Sequence, residues 1–123
     1  VLVVDDSPIL RAAIRKVATM AGIDPDRIRE AGNGVEAITA LEEAPADLVL
    51  LDINMPVMNG EEFVEQVRQR PGLEDVLIVV VSTEANRERL DRLEAMGVSE
   101  SLHKPFEPEA LAEIISRRLG VGS

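Results

Sequence analysis

Asp5-Asp6, Asp52, Ser82-Thr83 and Lys104-Pro105 lie far apart along the 123-residue chain, yet their types form one chemical set if the fold gathers them. Taken singly, each has an ordinary explanation. The acidic pair suits a solvated turn, Ser82 or Thr83 a helix cap, Lys104 the surface and Asp52 a polar strand end. Taken together, they are costly without a partner. Two like charges ~4 Å apart repel by about 4 kcal/mol at an effective dielectric of ~20. Three clustered carboxylates make three such pairs, a penalty comparable with the stability of a whole domain. One lysine offsets only part of it. A divalent cation is the simplest remedy, and an all-oxygen donor set without His or Cys selects Mg²⁺, Mn²⁺ or Ca²⁺. Few carboxylates with several waters suit Mg²⁺ best. Cation, lysine and hydroxyl together form apparatus for holding a phosphoryl group.

The elements that must position this set can be read from the hydrophobic pattern. Asp47–Asp52 is apolar between its two acids, without alternation, as expected of a strand buried on both faces. Val1–Asp5 and Val76–Ser82 read the same way. Arg27–Ala31 and Ser99–His103 are weaker and belong at sheet edges. Between them run helical patterns. Ile9, Leu10, Ala13, Ile14, Val17 and Ala21 follow Ser7-Pro8, an N-cap with Pro at the first helical position. Val35, Ala37, Ile38 and Leu41 mark a second helix. Phe63, Val64 and Val67 mark a third after Asn59-Gly60, and Leu90, Leu93 and Met96 a fourth before Gly97. Leu111, Ile114, Ile115 and Leu119 mark the last, before Gly120. Strict alternation of strands and helices predicts a doubly wound parallel α/β domain. Right-handed crossovers with the second and fifth strands outside favour the order 2-1-3-4-5. That order brings together the C-terminal strand ends that carry Asp5-Asp6, Asp52, Ser82-Thr83 and Lys104.

Composition narrows the function further. The net charge of −10 disfavours direct contact with nucleic acid phosphates or anionic lipid. No apolar stretch approaches the ~20 residues that span a bilayer. With no Cys there is no disulfide or thiol nucleophile, which fits a cytoplasmic location. Residues 1–123 are expected to be a single domain, trimmed on either side or complete.

Val4-Asp5-Asp6, Leu51-Asp52-Ile53-Asn54-Met55-Pro56 with Asn59-Gly60, Ser82, and Lys104-Pro105-Phe106 resemble the receiver domain of two-component response regulators, nearest in motif to chemotaxis-type single-domain receivers. The likeness spans nearly the whole chain and implies a flavodoxin-like (βα)5 fold. It implies that Asp52 accepts a phosphoryl group from a phosphohistidine of a histidine kinase or His phosphotransfer protein. Asp6 and Asp52 would bind Mg²⁺ (or Mn²⁺) directly, Asp5 mainly through water and Asn54 through its backbone carbonyl. Lys104 and Ser82, with Thr83 beside it, would contact phosphoryl oxygens, and Pro105 would follow a cis peptide. Asn54 and Glu84 stand where such receivers tune phosphoryl loss, so comparatively fast self-dephosphorylation is expected. Thr83, where such receivers often carry Ala, would crowd the entry and slow it, so the two effects oppose and both outcomes stay open. A change at the face of the fourth and fifth helices and fifth strand would carry the signal to a downstream partner or output domain.

One departure stands out. Receivers usually carry Tyr or Phe three residues before the lysine, and here that residue is Ser101. The only aromatics, Phe63 and Phe106, fit core positions. His103, the sole histidine, reads as a strand-end side chain rather than a second relay site. Arg11, Arg15 and Lys16 form a basic face on the first helix where a kinase contact is conceivable. Among other classes, a Mg²⁺-dependent aspartyl-phosphate phosphatase would need an acid two residues after Asp52, where Asn54 stands, and room for a cap. A nucleotide-binding module would need a GxGxxG or GxxxxGK[ST] loop. Neither pattern is present. Within the receiver reading, a stand-alone domain and part of a longer regulator remain alternatives.

Overall fold

The computed structural model describes residues 1–55, 57–84 and 86–120. Five parallel strands, β1 (Leu2–Val4), β2 (Arg29–Ala31), β3 (Leu48–Leu51), β4 (Leu77–Ser82) and β5 (Glu100–His103), form one sheet in the order β2-β1-β3-β4-β5. Helices α1 (Pro8–Met20), α2 (Gly34–Glu43), α3 (Gly60–Gln69), α4 (Arg87–Ala95) and α5 (Pro108–Leu119) connect or follow them. This is the flavodoxin-like doubly wound fold that the alternation predicts.

Successive side chains of the central strands enter two different cores, as a period of two requires. Leu2, Val4, Val49, Leu51, Ile78 and Val80 face one core, which α2 and α3 supply with Ile38, Leu41, Phe63, Val64 and Val67. Val3, Leu48, Leu50, Val79 and Val81 face the other, filled by Ile14 and Val17 of α1 and by Leu111, Ile114 and Ile115 of α5. Burial on both faces is why these strands read as unbroken apolar runs. The edge strand β5 is only partly covered.

Local signals set the helix starts. The hydroxyl of Ser7 accepts from Leu10 N and opens α1 ahead of Pro8. Asn59 and Glu62 form a reciprocal capping box at the start of α3. Asn33 and Asn86 cap α2 and α4.

Several expectations are corrected. Residue 27 belongs to a short 3₁₀ turn, Pro25–Arg27, capped by Asp24, so β2 begins only at Arg29. Ile9 and Ala13 of α1 are exposed, as is Val35 of α2. Each sits one residue from the buried stripe of its helix, about 100° around the axis. Phe63 is wholly buried, whereas Phe106 is only partly covered, packed against the α1–α5 core. The basic face of α1 is largely consumed. Arg11 pairs with Glu30, and Arg15 spans Glu30 and the carbonyls of Pro25 and Ile28, which leaves Lys16 as its exposed member. A guanidinium fork can serve several carbonyls at once, so it folds back onto the strand end it overhangs.

Candidate phosphoacceptor site

The parallel ladders continue one residue beyond β1, β3 and β5 and fix the backbone of the site. Asp5 N donates to Ala31 O, Asp52 N to Val4 O and Lys104 N to Ser82 O. Ser82 itself is the last residue of β4, in register with His103. Sheet pairing thus sets Asp5, Asp52, Ser82 and Lys104 at one end of the sheet. All four are buried, the polar members of an otherwise apolar interior among the described residues. Asp6 is exposed beside them. Oxygens of Asp5, Asp6 and Asp52 lie within 4.8 Å of one another, a donor set that fits a hard divalent cation.

Each buried carboxylate has one oxygen fixed by a local backbone N–H. Ser7 N donates to Asp5 Oδ1 at 2.9 Å, and Asn54 N donates to Asp52 Oδ1 at 3.1 Å. Their other oxygens face the ammonium of Lys104. It donates to Asp5 Oδ2 at 2.8 Å and lies 3.9 Å from Asp52 Oδ2. The Lys104–Pro105 peptide is cis.

Ser82 Oγ accepts from two donors, Glu84 N at 3.1 Å and Asn54 Nδ2 at 3.4 Å. Thr83 is exposed next to it and Glu84 is half-buried. The β3–α3 loop that carries Asn54 is held by a close approach at Gly60. Gly60 N donates to Ile53 O, and a Cβ at Gly60 would overlap the Ile53 side chain. Ser101 is exposed, and a cavity of about 200 Å³ opens beside it, lined by Val80, Ser82, Arg87, Leu90 and His103 among others. Pro56 lies outside the described residues.

The model of the response regulator receiver domain family matches residues 1–116. The chain belongs to this family. Its receiver fold is shared at a TM-score of 0.85 and 34% identity with the solved structure of chemotaxis protein CheY4 from Vibrio cholerae, over 94% of each chain. A chemotaxis protein CheY homolog from Campylobacter jejuni is 38% identical over 99% of this receiver and 93% of that protein. The nitrate/nitrite response regulator protein NarL of Escherichia coli is 35% identical over 94% of this receiver, which spans 52% of NarL. Among the described residues, no helix of the receiver is long and apolar enough to cross a membrane.

Sequence reasoning missed Arg89, in the first turn of α4. Its side chain donates to Asn54 Oδ1 at 2.6 Å, to Glu84 Oε2 at 2.9 Å, to Ile53 O at 2.8 Å and to both oxygens of Glu61. The bond to Glu61 leads the effects that raise the Arg89 pKa above its ordinary value. Burial works against charge on Glu61, but the bond and charge of Arg89 outweigh it and hold that carboxyl below the usual range. Nothing marks this arginine in the charged run Arg87-Glu88-Arg89 except its spacing from Glu84.

Proposed function

We propose that Asp52 is the phosphoacceptor of this receiver, taking a phosphoryl group from a phosphohistidine and losing it by hydrolysis. The observation that carries this reading is Asp52 itself. It is a buried carboxylate with one oxygen fixed by Asn54 N and the other turned toward Lys104. In the forward step, that second oxygen attacks phosphorus. The phosphorus–nitrogen bond of the donor breaks, and the imidazole keeps the electron pair. Lys104 and the Ser82 hydroxyl take the phosphoryl oxygens as charge builds on them, so the protein contributes positioning and charge neutralisation. Asp5 orients Lys104 through its 2.8 Å bond. In the separate hydrolytic step, water attacks phosphorus, the bond to Asp52 breaks with its electron pair returning to the carboxylate, and inorganic phosphate leaves with the water oxygen. Asn54 and Glu84, beside Ser82, stand where they tune that attack.

Asp6 and Asp52, with the Asn54 carbonyl and with Asp5 acting through water, would hold Mg²⁺ or Mn²⁺. Both Asp5 oxygens are already engaged by Ser7 N and Lys104, which supports its indirect role. The ion would supply charge neutralisation for the phosphoryl oxygens. The partners that fit are a histidine kinase or His phosphotransfer protein upstream and a protein or output domain downstream, in the cytoplasm. The receiver would act alone or as one part of a longer regulator.

The test is intact mass after incubation with Mg²⁺ and acetyl phosphate. One added phosphoryl group, lost with Asp52→Asn and with EDTA, is the expected result. No adduct at short times, with a phosphohistidine donor included, would overturn the reading.

A further inference from the structure

Ser82 must donate its hydroxyl proton if it is to hold a phosphoryl oxygen, and something must aim that proton. A hydroxyl has one hydrogen and two acceptor sites. On Ser82 both acceptor sites are taken, by Glu84 N and by Asn54 Nδ2, so its O–H is left to donate elsewhere. Both of those donors trace back to one side chain. Arg89 Nη1 donates to Asn54 Oδ1 and so turns the amide nitrogen toward Ser82. The same Nη1 donates to the Glu84 carboxylate, bracing the residue whose backbone N–H meets Ser82. Nη2 donates to Ile53 O beside Asp52, and Nε and Nη2 bind Glu61 on α3. Every N–H of the guanidinium therefore has an acceptor, on four residues of three separate segments. The helix it anchors is otherwise lightly buried, with Leu93 its one fully buried residue and Leu90 partly buried against the same core.

We propose that Arg89 is a positioning residue for the phosphoryl site, aiming the Ser82 hydroxyl through Asn54 and Glu84 and tying its state to the position of α4. The inference rests on the reading of Asp52 as phosphoacceptor. It gives this receiver a link between site and α4 that is independent of any side chain at position 101.

The probe is the beryllium trifluoride anion, a phosphoryl mimic that binds a carboxylate, titrated with Mg²⁺ and followed by fluorine NMR. Arg89→Ala should weaken its binding by about tenfold, and Ser82→Ala by a similar factor. The double variant should be no weaker than Ser82→Ala alone, since residues acting through one group are not additive. Arg89→Lys should fail to restore affinity, because an ammonium cannot serve Asn54 and Glu84 in the fork geometry. Glu61→Gln keeps the bonds to Asn54 and Glu84 and should bind like the native receiver. Native affinity in Arg89→Ala, additive losses in the double variant, or an equal loss in Glu61→Gln would each overturn the proposal and leave the phosphoacceptor reading intact. Absence of binding by the native receiver would overturn both.

Discussion

The Lys104 ammonium donates to the Asp5 carboxylate at 2.8 Å, joining buried residues 99 positions apart in the chain. The nearest oxygen of Asp52 is more than 1 Å farther from the same ammonium. Lysine is therefore held by Asp5, while Asp52, the proposed phosphoacceptor, keeps an oxygen turned toward the lysine without a direct hydrogen bond to it.

Removing that lysine leaves Asp5 charged, buried and without its counterion. Breaking a buried pair from one side costs about 3–5 kcal/mol. Lys104→Ala should lose about that much in urea melts with EDTA present and recover part of it with Mg²⁺. An unchanged midpoint in EDTA would refute the ion pair's structural weight.

Removing one charge from the acidic cluster has the opposite sign. Asp52→Asn relieves repulsion from Asp5 and Asp6, whose oxygens lie within 4.8 Å. Its metal-free stability should rise by about 1 kcal/mol while phosphoryl acceptance disappears. Calorimetry in EDTA measures the first effect and intact mass the second.

Gly60 meets Ile53 too closely for any side chain. Gly60→Ala should destabilise the receiver by about 1–3 kcal/mol through overpacking. Displacement of the loop carrying Asn54 should slow phosphorylation by acetyl phosphate as well. Native stability with native rate would show that the loop yields freely.

Val57 adopts φ +72°, a region β-branched residues rarely occupy, with its side chain exposed. Val57→Gly removes that strain at no cost in packing, and a gain of about 1 kcal/mol is expected in thermal melts. A loss would mean the valine makes a contact worth more than the strain.

Glu61 and Glu100 provide an acid-sensitive pair of contacts. Burial opposes the charge of Glu100, as it does for Glu61, but bonds from Arg117 and Arg118 overcome it, and both carboxyls sit below their ordinary value of 4.5. A pKa lower in the folded than in the unfolded chain stabilises above the unfolded value and is lost as pH falls through the folded one. Stability should therefore decline below about pH 5. The decline should be shallower in Glu61→Gln and Glu100→Gln, measured by urea melts from neutral pH downward. Identical slopes in variant and native receivers would remove these pairs from the acid response.

The sheet was legible because β1, β3 and β4 are buried on both faces, which leaves unbroken apolar runs with a polar residue at each exit. The gathering of Asp5, Asp52, Ser82 and Lys104 followed from strand order, which the family resemblance supplied along with the crossover rule. Less could be read where one residue type serves several ends. Arg11, Arg15 and Arg89 resemble solvated helix charges in sequence, yet each reaches a backbone carbonyl of another segment. Contacts of that kind depend on the tertiary path of a long side chain and leave no periodic trace. Ile9 misled for a simpler reason, since an apolar residue beside a buried stripe looks like part of it.

The uneven burial of the helices implies uneven protection of their amides. Leu111, Ile114 and Ile115 fasten α5, and Phe63, Val64 and Val67 fasten α3, whereas α4 buries only Leu93. Hydrogen exchange in α4 should proceed by local opening at a fraction of the free energy that releases β3 or β4. A segment with so little burial needs only a small bias to shift, and the charge that the proposed phosphorylation would add at Asp52 is the kind of local change that could supply it.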